Sequence, residues 1–491
     1  MTPPEPTPPP FRAASRCAVV DLGSNSVRLV VFEGRGRNPV SIFNEKAVLR
    51  LGSGLQNTGQ LNEQGVQQAM RVMARYAAVA RAMGAEPFEV LATAAVRDAS
   101  NGTAFVQGLE QVLQGATVRV LPGEEEAALS AAGVQCGIPG ADGLLADIGG
   151  GSLELVRLDP SGVQHAATLR LGVIRLSERA DGDIQRARII AEADLATLPW
   201  LGDAAGRDLY LVGGAWRALA RVHMQHVGYR LGIVHHYTIG AEAARALAAL
   251  VLEGPRRGAR RRAEDLPYAA VVLRRLLRQS GATRVVFSAN GIREGWFMQQ
   301  VAPEIRTQDP LLAAAREMAD VMARDETLPP ALIDWTAPLF GPETPEALRL
   351  RHAACWMSDI GSHDHPEYRA EQAFWRVLRQ PGVGIDHPMR AFLALAVGLR
   401  YEPEPDAPFL QAARDLLDPS QIQRATVLGA ALRLAYTLSA GTPALLAQTR
   451  LERHAGRLTL RLEGAGVFAG NSIERRLERL GMLMNMPVQI A

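Results

Sequence analysis

The sequence predicts an α/β protein with two similar lobes, followed by a mainly helical region. Three observations support this: a short unit occurs twice, strand-like and helix-like segments alternate through the first three hundred residues, and the alternation stops near Pro310. We expect a disordered leader, two lobes, a helical domain and a small α+β domain, over residues 1–16, 17–134, 135–303, 304–442 and 443–491.

The repeated unit is VVDLGSNSVRLV from Val19 to Val30 and LADIGGGSLELV from Leu145 to Val156. Each copy reads as an apolar strand, a Gly/Ser turn and a second strand. Such a turn offers backbone N–H groups and a hydroxyl to a phosphate. The Asp at the end of each first strand is a hard oxygen ligand that suits Mg²⁺. Two facing units would therefore hold a metal ion and a chain of phosphates.

Three further segments follow predicted strands, at sheet edges where ligands bind in open α/β folds. Thr93–Asp98 follows the strand Phe88–Ala92, and Pro122–Ala127 brings three carboxylates to the start of a helix. Acidic residues in a first turn are also favoured by the helix dipole alone. Gly213 and Gly214 end a third strand. Their turn can approach a phosphate or a nucleotide closely.

Composition limits the class of protein. A formal net charge of +2 gives no strong attraction to nucleic acid or membranes. Lys46 is the only lysine, and the three cysteines show no CxxC spacing, which fits a reducing compartment. The proline-rich start lacks the apolar core of a signal peptide, and no stretch of 18 apolar residues occurs. We expect a cytoplasmic protein.

Five blocks in order carry a family resemblance: DLGSNS at 21–26, TAAVRD at 93–98, GEEEA at 123–127, DIGGGSLEL at 147–155 and GIREG at 291–295. They resemble the signature series of the exopolyphosphatase and guanosine pentaphosphate phosphatase family, over roughly residues 17–302. The resemblance implies two RNase H-like lobes of the actin-like ATPase superfamily with a cleft between them. It also implies an all-α HD-like domain and a small α+β C-terminal domain.

The resemblance assigns roles in hydrolysis. Glu126 takes the place of the base for the attacking water, with Glu124 and Glu125 as competitors or as plain helix-opening carboxylates. Arg97 would bind a phosphate and stabilise charge, or else form an ion pair with Asp98.

Metal and phosphate ligands complete the expected site. Asp147 is the first metal ligand, with Asp21 opposite and Glu154 as a third, unless Glu154 lies on a solvated strand face. Ala215 and Trp216 after the third turn argue against nucleotide contact there. Arg293 and Glu294 of the GIREG block fit a structural ion pair at a helix start equally well, so we leave them out of the catalytic set. The residues expected to cradle phosphate are Gly23, Ser24, Asn25, Ser26, Gly149, Gly150, Gly151, Ser152, Gly213 and Gly214.

Outside the lobes two features remain. The run Arg256–Arg262 either attracts a polyanion or forms a solvated loop. The helical domain carries His352, Asp359, His363, Asp364 and His365 in a pattern similar to HD phosphohydrolases. Ser358 stands where the first residue of the adjacent His-Asp pair belongs, so we expect a degenerate domain without a catalytic metal, which extends a channel or a dimer interface.

The leading function is hydrolysis of the terminal phosphoanhydride of inorganic polyphosphate, with Mg²⁺ or Mn²⁺ and with K⁺ as a further expected cation. The alternative substrate is guanosine pentaphosphate (pppGpp to ppGpp). An ATP-dependent kinase of the same fold and a non-catalytic alarmone or polyphosphate sensor rank below these. We expect a homodimer that binds neither nucleic acid nor membranes.

Overall fold

The computed structural model describes residues 15–254, 265–463 and 470–491. They form two compact units. The first runs to His223 and includes Thr238–Arg306, and the second comprises Met224–Tyr237 and Thr307–Ala491. We call them the N-terminal and C-terminal units and describe each by itself. The run Arg256–Arg262 lies outside the described residues, and so does the predicted leader except for residues 15 and 16.

The first sheet of the N-terminal unit has five strands in the order β3-β2-β1-β4-β5. Its strands are β1 (Arg16–Leu22), β2 (Ser26–Glu33), β3 (Ser41–Val48), β4 (Ala85–Ala92) and β5 (Thr117–Val120). Between and after these strands the chain forms the helices α1 (Leu55–Thr58), α2 (Glu63–Ala82), α3 (Ala94–Asp98), α4 (Gly102–Leu113) and α5 (Gly123–Gly137). Strand β1 lies at the centre, antiparallel to β2 and parallel to β4.

Helix α2 shows why these helices form where they do. Asn62 caps its N-terminus by accepting a hydrogen bond from the N–H of Gly65. Its buried residues, Ala69, Met73, Tyr76 and Ala80, recur at helical spacing and pack on the sheet. The cap at Asn62 and the apolar spacing that follows it account for the bounds of this helix, Glu63–Ala82.

The second sheet has six strands in the order β10-β11-β9-β6-β7-β8. They are β6 (Gly143–Ile148), β7 (Leu153–Asp159), β8 (Gly162–Leu169), β9 (Asp208–Val212), β10 (Tyr237–Gly240) and β11 (Arg284–Phe287). The helices are α6 (Val173–Arg179), α7 (Ile184–Ala196), α8 (Gly214–His226), α9 (Ala241–Glu253), α10 (Leu266–Ser280), α11 (Ile292–Gln300) and α12 (Pro303–Arg306), with a 3₁₀ helix at Pro199–Ala204.

The repeat seen in the sequence is also present in the sheets. In each sheet a hairpin, β1-β2 or β6-β7, is extended on one side by an antiparallel strand and on the other by a parallel strand. Asp21 is the register partner of Arg28, and Asp147 holds the same place opposite Glu154. The two copies therefore differ most in charge at equivalent positions.

Strand β3 ends at Val48, before the apolar residues Leu49 and Leu51. The N–H groups of Leu49 and Arg50 both donate to the carbonyl of Asn25 at 3.0 Å, so the chain bends around the first Gly/Ser turn. This bend helps to hold that turn in place.

The C-terminal unit is mainly helical with a three-stranded sheet, β12-β13-β14. Its elements are α13 (Pro310–Met322), α14 (Leu328–Thr336), α15 (Pro345–Met357), α16 (Arg369–Leu378), α17 (His387–Leu399), α18 (Gln411–Arg414), α19 (Pro419–Ser439), α20 (Pro443–Leu446), α21 (Asn471–Met484), β12 (Thr449–His454), β13 (Arg457–Leu462) and β14 (Val488–Ile490), and 3₁₀ helices at Ala337–Leu339 and Pro408–Leu410.

A single apolar cluster joins this sheet to the helices. Leu451 and Leu460 of the strands lie in the same core as Phe392 of α17 and Leu432 of α19. The small sheet thus shares its core with the helical region, while the division of the chain into four domains stays a prediction. Within the described ranges, every helix is too short or too polar to cross a membrane.

Candidate active site

The two Gly/Ser turns of the repeat close in the same way and lie against each other. The N–H of Gly23 donates to the carbonyl of Ser26 at 3.1 Å, and that of Gly149 donates to the carbonyl of Ser152 at 3.0 Å. A Cβ added at Gly151 would come within 2.7 Å of Ser24 Oγ. The absence of a side chain at Gly151 therefore lets the two turns meet.

A cavity of about 1190 Å³, its open mouth included, lies at these turns. Every residue expected to cradle phosphate or to bind the metal lines it, together with the expected base, whereas Arg97, which was also expected to bind a phosphate, is not among the lining residues. The first turn supplies Gly23, Ser24, Asn25 and Ser26, the second supplies Gly149, Gly150, Gly151 and Ser152, the third supplies Gly213 and Gly214, and the carboxylates are Asp21, Glu126, Asp147 and Glu154. The fold thus brings together residues that are almost 200 positions apart.

The third turn requires glycine. Gly213 has φ +118°, and an added Cβ would lie 2.4 Å from the carbonyl oxygen of Ile148. Helix α8 begins at Gly214, earlier than the start near Trp216 that the sequence suggests. Trp216 itself is fully buried, so its indole packs in the core. The bulky side chain therefore does not obstruct this turn, and the smaller Ala215 lines the cavity.

Glu126 is distinguished from its two neighbours by burial. The side chain of Glu124 is exposed, and Glu125 forms an ion pair of 3.1 Å with Arg119. Glu126 is only 7% exposed and lines the cavity. Burial raises the pKa of Glu126 to about 7, against the lowering effect of Arg97, and Asp147 and Asp21 raise it further. A carboxylate with that pKa is suited to accept a proton near neutral pH.

Arg97 holds Glu126 in place. Its Nη1 donates to Glu126 Oε2 at 2.9 Å and to the carbonyl of Leu121 at 2.7 Å. Its Nε lies 3.7 Å from Asp98, and Asp98 in turn binds Arg175 at 2.6 Å. Arg97 therefore contacts a residue of the cavity, Glu126, and it also forms the ion pair with Asp98 that was the alternative interpretation of the sequence.

The acidic residues of the cavity fit a divalent cation. Glu154 is 2% exposed, which rules out the solvated strand face, and its Oε1 has no hydrogen-bond partner among the described residues. Burial, followed by the charges of Glu126 and Asp147, raises the pKa of Glu154 well above its usual range. Burial likewise raises the pKa of Asp21 and of Asp147. A cation among these carboxylates would offset their repulsion.

No cage of three or more carboxylate, imidazole or thiol side chains occurs in the described ranges. Mg²⁺ commonly takes one or two protein carboxylates and keeps several waters, so this donor set suits it. Oxygen donors without a nearby thiolate also agree with Mn²⁺.

The cavity also carries four cationic side chains that were not assigned to the site from the sequence: Arg28, Lys46, Arg217 and Arg293. Arg293 Nε lies 3.9 Å from Asp21 Oδ2, and Glu294 accepts from the N–H of Gly291. Desolvation, followed by repulsion from Arg293, lowers the pKa of Arg217 to about 10. Cations that repel one another in a partly buried cavity are suited to an anion of high charge.

Two of these cations carried a signal in the sequence. Arg217 follows Gly214 by three residues, one turn into a helix that starts at the cavity. Lys46 is the register partner of Arg28 on the neighbouring strand, and it is the only lysine of the chain. Arg293 belongs to the GIREG block, but it was left out of the expected site because it also fits an ion pair with Glu294.

Asp359, one of the residues in the pattern similar to HD phosphohydrolases, binds two arginines in the C-terminal unit. Asp359 accepts from Arg324 at 2.9 Å and from Arg400 at 2.9 Å. Arg400 lies between the rings of Tyr401 and Tyr436, 4.0 and 3.8 Å from their centroids. The oxygens of Asp359 are therefore engaged by guanidinium groups.

The two sheets share an order of five strands and meet at facing Gly/Ser turns, which carboxylates and cations surround. This arrangement defines an actin-like α/β fold. Residues 30–304 match the model of the Ppx/GppA phosphatase family, and residues 311–490 match that of the exopolyphosphatase C-terminal region. The first match covers more than half of the 491 residues. The chain belongs to the Ppx/GppA phosphatase family.

Individual relatives agree with this assignment. "Exopolyphosphatase 2" of Mycobacterium tuberculosis is 32% identical over 177 residues, which cover 34% of this chain and 55% of that protein. A "Guanosine-5'-triphosphate,3'-diphosphate pyrophosphatase" of Photobacterium profundum is 31% identical over 163 residues, 33% of each chain. The matched region thus spans about half of the first relative and a third of the second.

Solved structures support the fold. An exopolyphosphatase from Cytophaga hutchinsonii superposes with a TM-score of 0.53 at 21% identity, over 59% of this chain and 99% of that one. The Ppx/GppA family member from Aquifex aeolicus gives a TM-score of 0.50 at 22% identity, over 58% and 97%. The predicted actin-like lobes are confirmed by this likeness.

Proposed function

We propose that this chain is an exopolyphosphatase, which removes orthophosphate from the end of inorganic polyphosphate. The observation that carries the proposal is the placement of Glu126. Its carboxylate lies in the cavity beside both phosphate turns, with a pKa raised to about 7 and an orientation set by Arg97. The family and the names of its relatives give the reaction class.

In the proposed reaction, Glu126 accepts a proton from a water molecule as the oxygen of that water attacks the terminal phosphorus. The bond from this phosphorus to the bridging oxygen breaks, and the shortened polyphosphate leaves with the electron pair. Orthophosphate is the other product, and the proton on Glu126 returns to solvent. Phosphoryl transfer depends chiefly on positioning and charge stabilisation. The turns would position the phosphates, and the cationic side chains would stabilise their charge.

Asp147 and Asp21 are the proposed ligands of Mg²⁺ or Mn²⁺, directly or through water. Glu154, the third carboxylate expected from the sequence, lines the same cavity, but no three-ligand group forms in the described residues. The cation would neutralise charge on the phosphates. The Gly/Ser turns cradle phosphate oxygens with their N–H groups and hydroxyls, while Arg28, Lys46 and Arg217 bind the charge of further phosphates. K⁺ as an additional cation and a homodimer stay predictions, as does a cytoplasmic location.

Hydrolysis of guanosine pentaphosphate is the second candidate. It uses the same residues, and the name of the Photobacterium relative favours it. A kinase and a non-catalytic sensor are weaker candidates because Glu126, Arg97 and both aspartates are present and assembled.

For the C-terminal unit we propose an HD-like helical domain that uses no catalytic metal. The two guanidinium groups on Asp359 support this, because a metal ligand there would have to give up both ion pairs.

Phosphate release separates the functions. The purified chain is given Mg²⁺ and, in parallel, long-chain polyphosphate, guanosine pentaphosphate or ATP. The proposal expects release from polyphosphate at a kcat/KM above that for the other two, and loss of release in Glu126→Gln. Release from guanosine pentaphosphate alone would establish the second candidate, and release from none would favour a sensor.

A further inference from the structure

Helix α5 carries a second polar residue toward the cavity, one turn after Glu126. Ser130 follows Glu126 by four residues, a spacing that puts both side chains on the same face of the helix. Ser130 is fully buried. Burying a hydroxyl without a hydrogen-bond partner costs free energy, so Ser130 needs such a partner in the folded chain.

The partner of Ser130 is the carboxylate of Asp147. Ser130 Oγ donates to Asp147 Oδ2 at 2.5 Å. A hydroxyl bound to a carboxylate at this distance forms a strong, charge-assisted hydrogen bond. It counters part of the desolvation that raises the pKa of Asp147. Oδ2 of Asp147 is therefore committed to α5.

Two glycines lie near the carboxylate, one beside each of its oxygens. An added Cβ at Gly291 would lie 3.7 Å from both Asp147 Oδ2 and Ser130 Oγ. An added Cβ at Gly213 would lie 3.3 Å from Asp147 Oδ1. The carboxylate thus has one oxygen toward Ser130 and the other toward the third phosphate turn.

We propose that Ser130 is a positioning residue, whose hydroxyl holds Asp147 with Oδ1 directed to the cavity for a divalent cation. This inference rests on the proposed function, in which Asp147 is a cation ligand. Without the hydroxyl, Oδ2 loses its partner and the carboxylate is no longer held in one orientation. Because α5 also carries Glu126, one rigid helix sets both the base and the cation ligand.

The test measures cation binding without turnover. Mn²⁺ is titrated into the full chain and the unbound ion is followed by electron paramagnetic resonance, with Mg²⁺ competition as a second readout. Ser130→Ala should weaken binding by about tenfold or more, the usual cost of losing a group that orients a metal ligand. Ser130→Thr, which keeps the hydroxyl, should bind close to wild type. Ser130→Cys, a similar size with a weak donor, should resemble Ser130→Ala.

A matched control is Ser280→Ala. Ser280 is also fully buried in the N-terminal unit, and its hydroxyl accepts from the N–H of Ala282 instead of touching the cavity. It should leave Mn²⁺ affinity unchanged. Thermal unfolding of each variant shows that it is folded, and phosphate release by Ser130→Ala should recover as Mg²⁺ is raised.

Asp147→Asn separates this inference from the proposed function. If Asp147→Asn binds Mn²⁺ as wild type does, Asp147 is not a ligand and both proposals for it fall. If Asp147→Asn loses binding while Ser130→Ala and Ser130→Cys keep wild-type affinity, the role of Ser130 alone is overturned. Equal loss in Ser130→Ala and Ser280→Ala, or in Ser130→Thr, would also overturn it.

Discussion

Arg97 and Glu126 are joined by a hydrogen bond of 2.9 Å that links helices α3 and α5. The guanidinium lowers the pKa of the glutamate, while burial and two nearby aspartates raise it. The balance leaves a base that titrates near neutrality. The same bond sets where the carboxylate points.

Glu126→Gln should lower turnover by about a hundredfold or more, because the amide cannot accept the proton of the attacking water. The fold should persist, since the amide keeps the size of the carboxylate. Steady-state phosphate release from polyphosphate measures the loss. Glu124→Gln is the control, because Glu124 lies two residues before Glu126 on the same turn of the helix and is exposed. This variant should keep wild-type turnover. Comparable rates in both variants would remove Glu126 from its role.

The acid side of the pH profile should report Glu126. Protonation of its carboxylate removes the base, so kcat/KM should fall as pH drops through about 7. This limb should be absent from the residual activity of Glu126→Gln. A profile measured from pH 5 to 9 at constant ionic strength checks it, and a wild-type limb near pH 4.5 would contradict the raised pKa.

The raised pKa of Glu126 should also make the stability of the protein depend on pH. The native state binds the Glu126 proton more tightly than the unfolded state, so this group favours folding below pH 4.5 and the advantage is lost as pH rises to about 7. From pH 4.5 to 8, the free energy of unfolding of Glu126→Gln should therefore gain about 3 kcal/mol relative to wild type. Urea unfolding at both pH values measures the difference, and a difference independent of pH would be inconsistent with it.

Arg97→Gln should move the acid limb to higher pH. Losing the guanidinium removes both the hydrogen bond and the charge that favour the ionised form of Glu126. Activity at pH 7 should then drop more than activity at pH 9, and Arg97→Lys should recover part of the shift.

Arg75→Gln is the control for Arg97. Arg75 also binds a glutamate, Glu45, but at an exposed site. The limb should not move in that variant. An Arg97→Gln enzyme whose activity falls by the same factor at both pH values would point to phosphate contact instead.

Gly150→Leu should block phosphate binding. A Cβ at this position would lie 3.1 Å from Ile174 Cδ1 and 3.2 Å from Ser24 Cβ, so a larger side chain must enter the space between the two turns. We expect loss of polyphosphate binding, which equilibrium dialysis measures. Gly202→Leu, in open space on the same unit, should bind normally. Normal binding by Gly150→Leu would show that this turn does not contact the substrate.

Local patterns in the sequence predicted most of the secondary structure and the membership of the site. The Gly/Ser turns, Asp21 and Asp147, and the third glycine turn were found from residue type and strand context, whereas the role of Glu126 came from the family resemblance. Arg217 and Arg293 were missed because a cation near a helix start reads as a surface ion pair unless its surroundings are known. Ser130 was missed because a serine inside an apolar helix carries no signal of its acceptor.

Only tertiary structure decided how the two repeated units work together. The sequence shows that they are alike, because strand, turn and alternation are local properties of the chain. Which carboxylate is buried, and which hydroxyl or guanidinium it binds, depends on contacts between distant segments such as Ser130 with Asp147 and Arg97 with Glu126. Desolvation and charge pairing follow from those contacts, so the sequence alone determined the parts of the site and the packing of the lobes determined its chemistry.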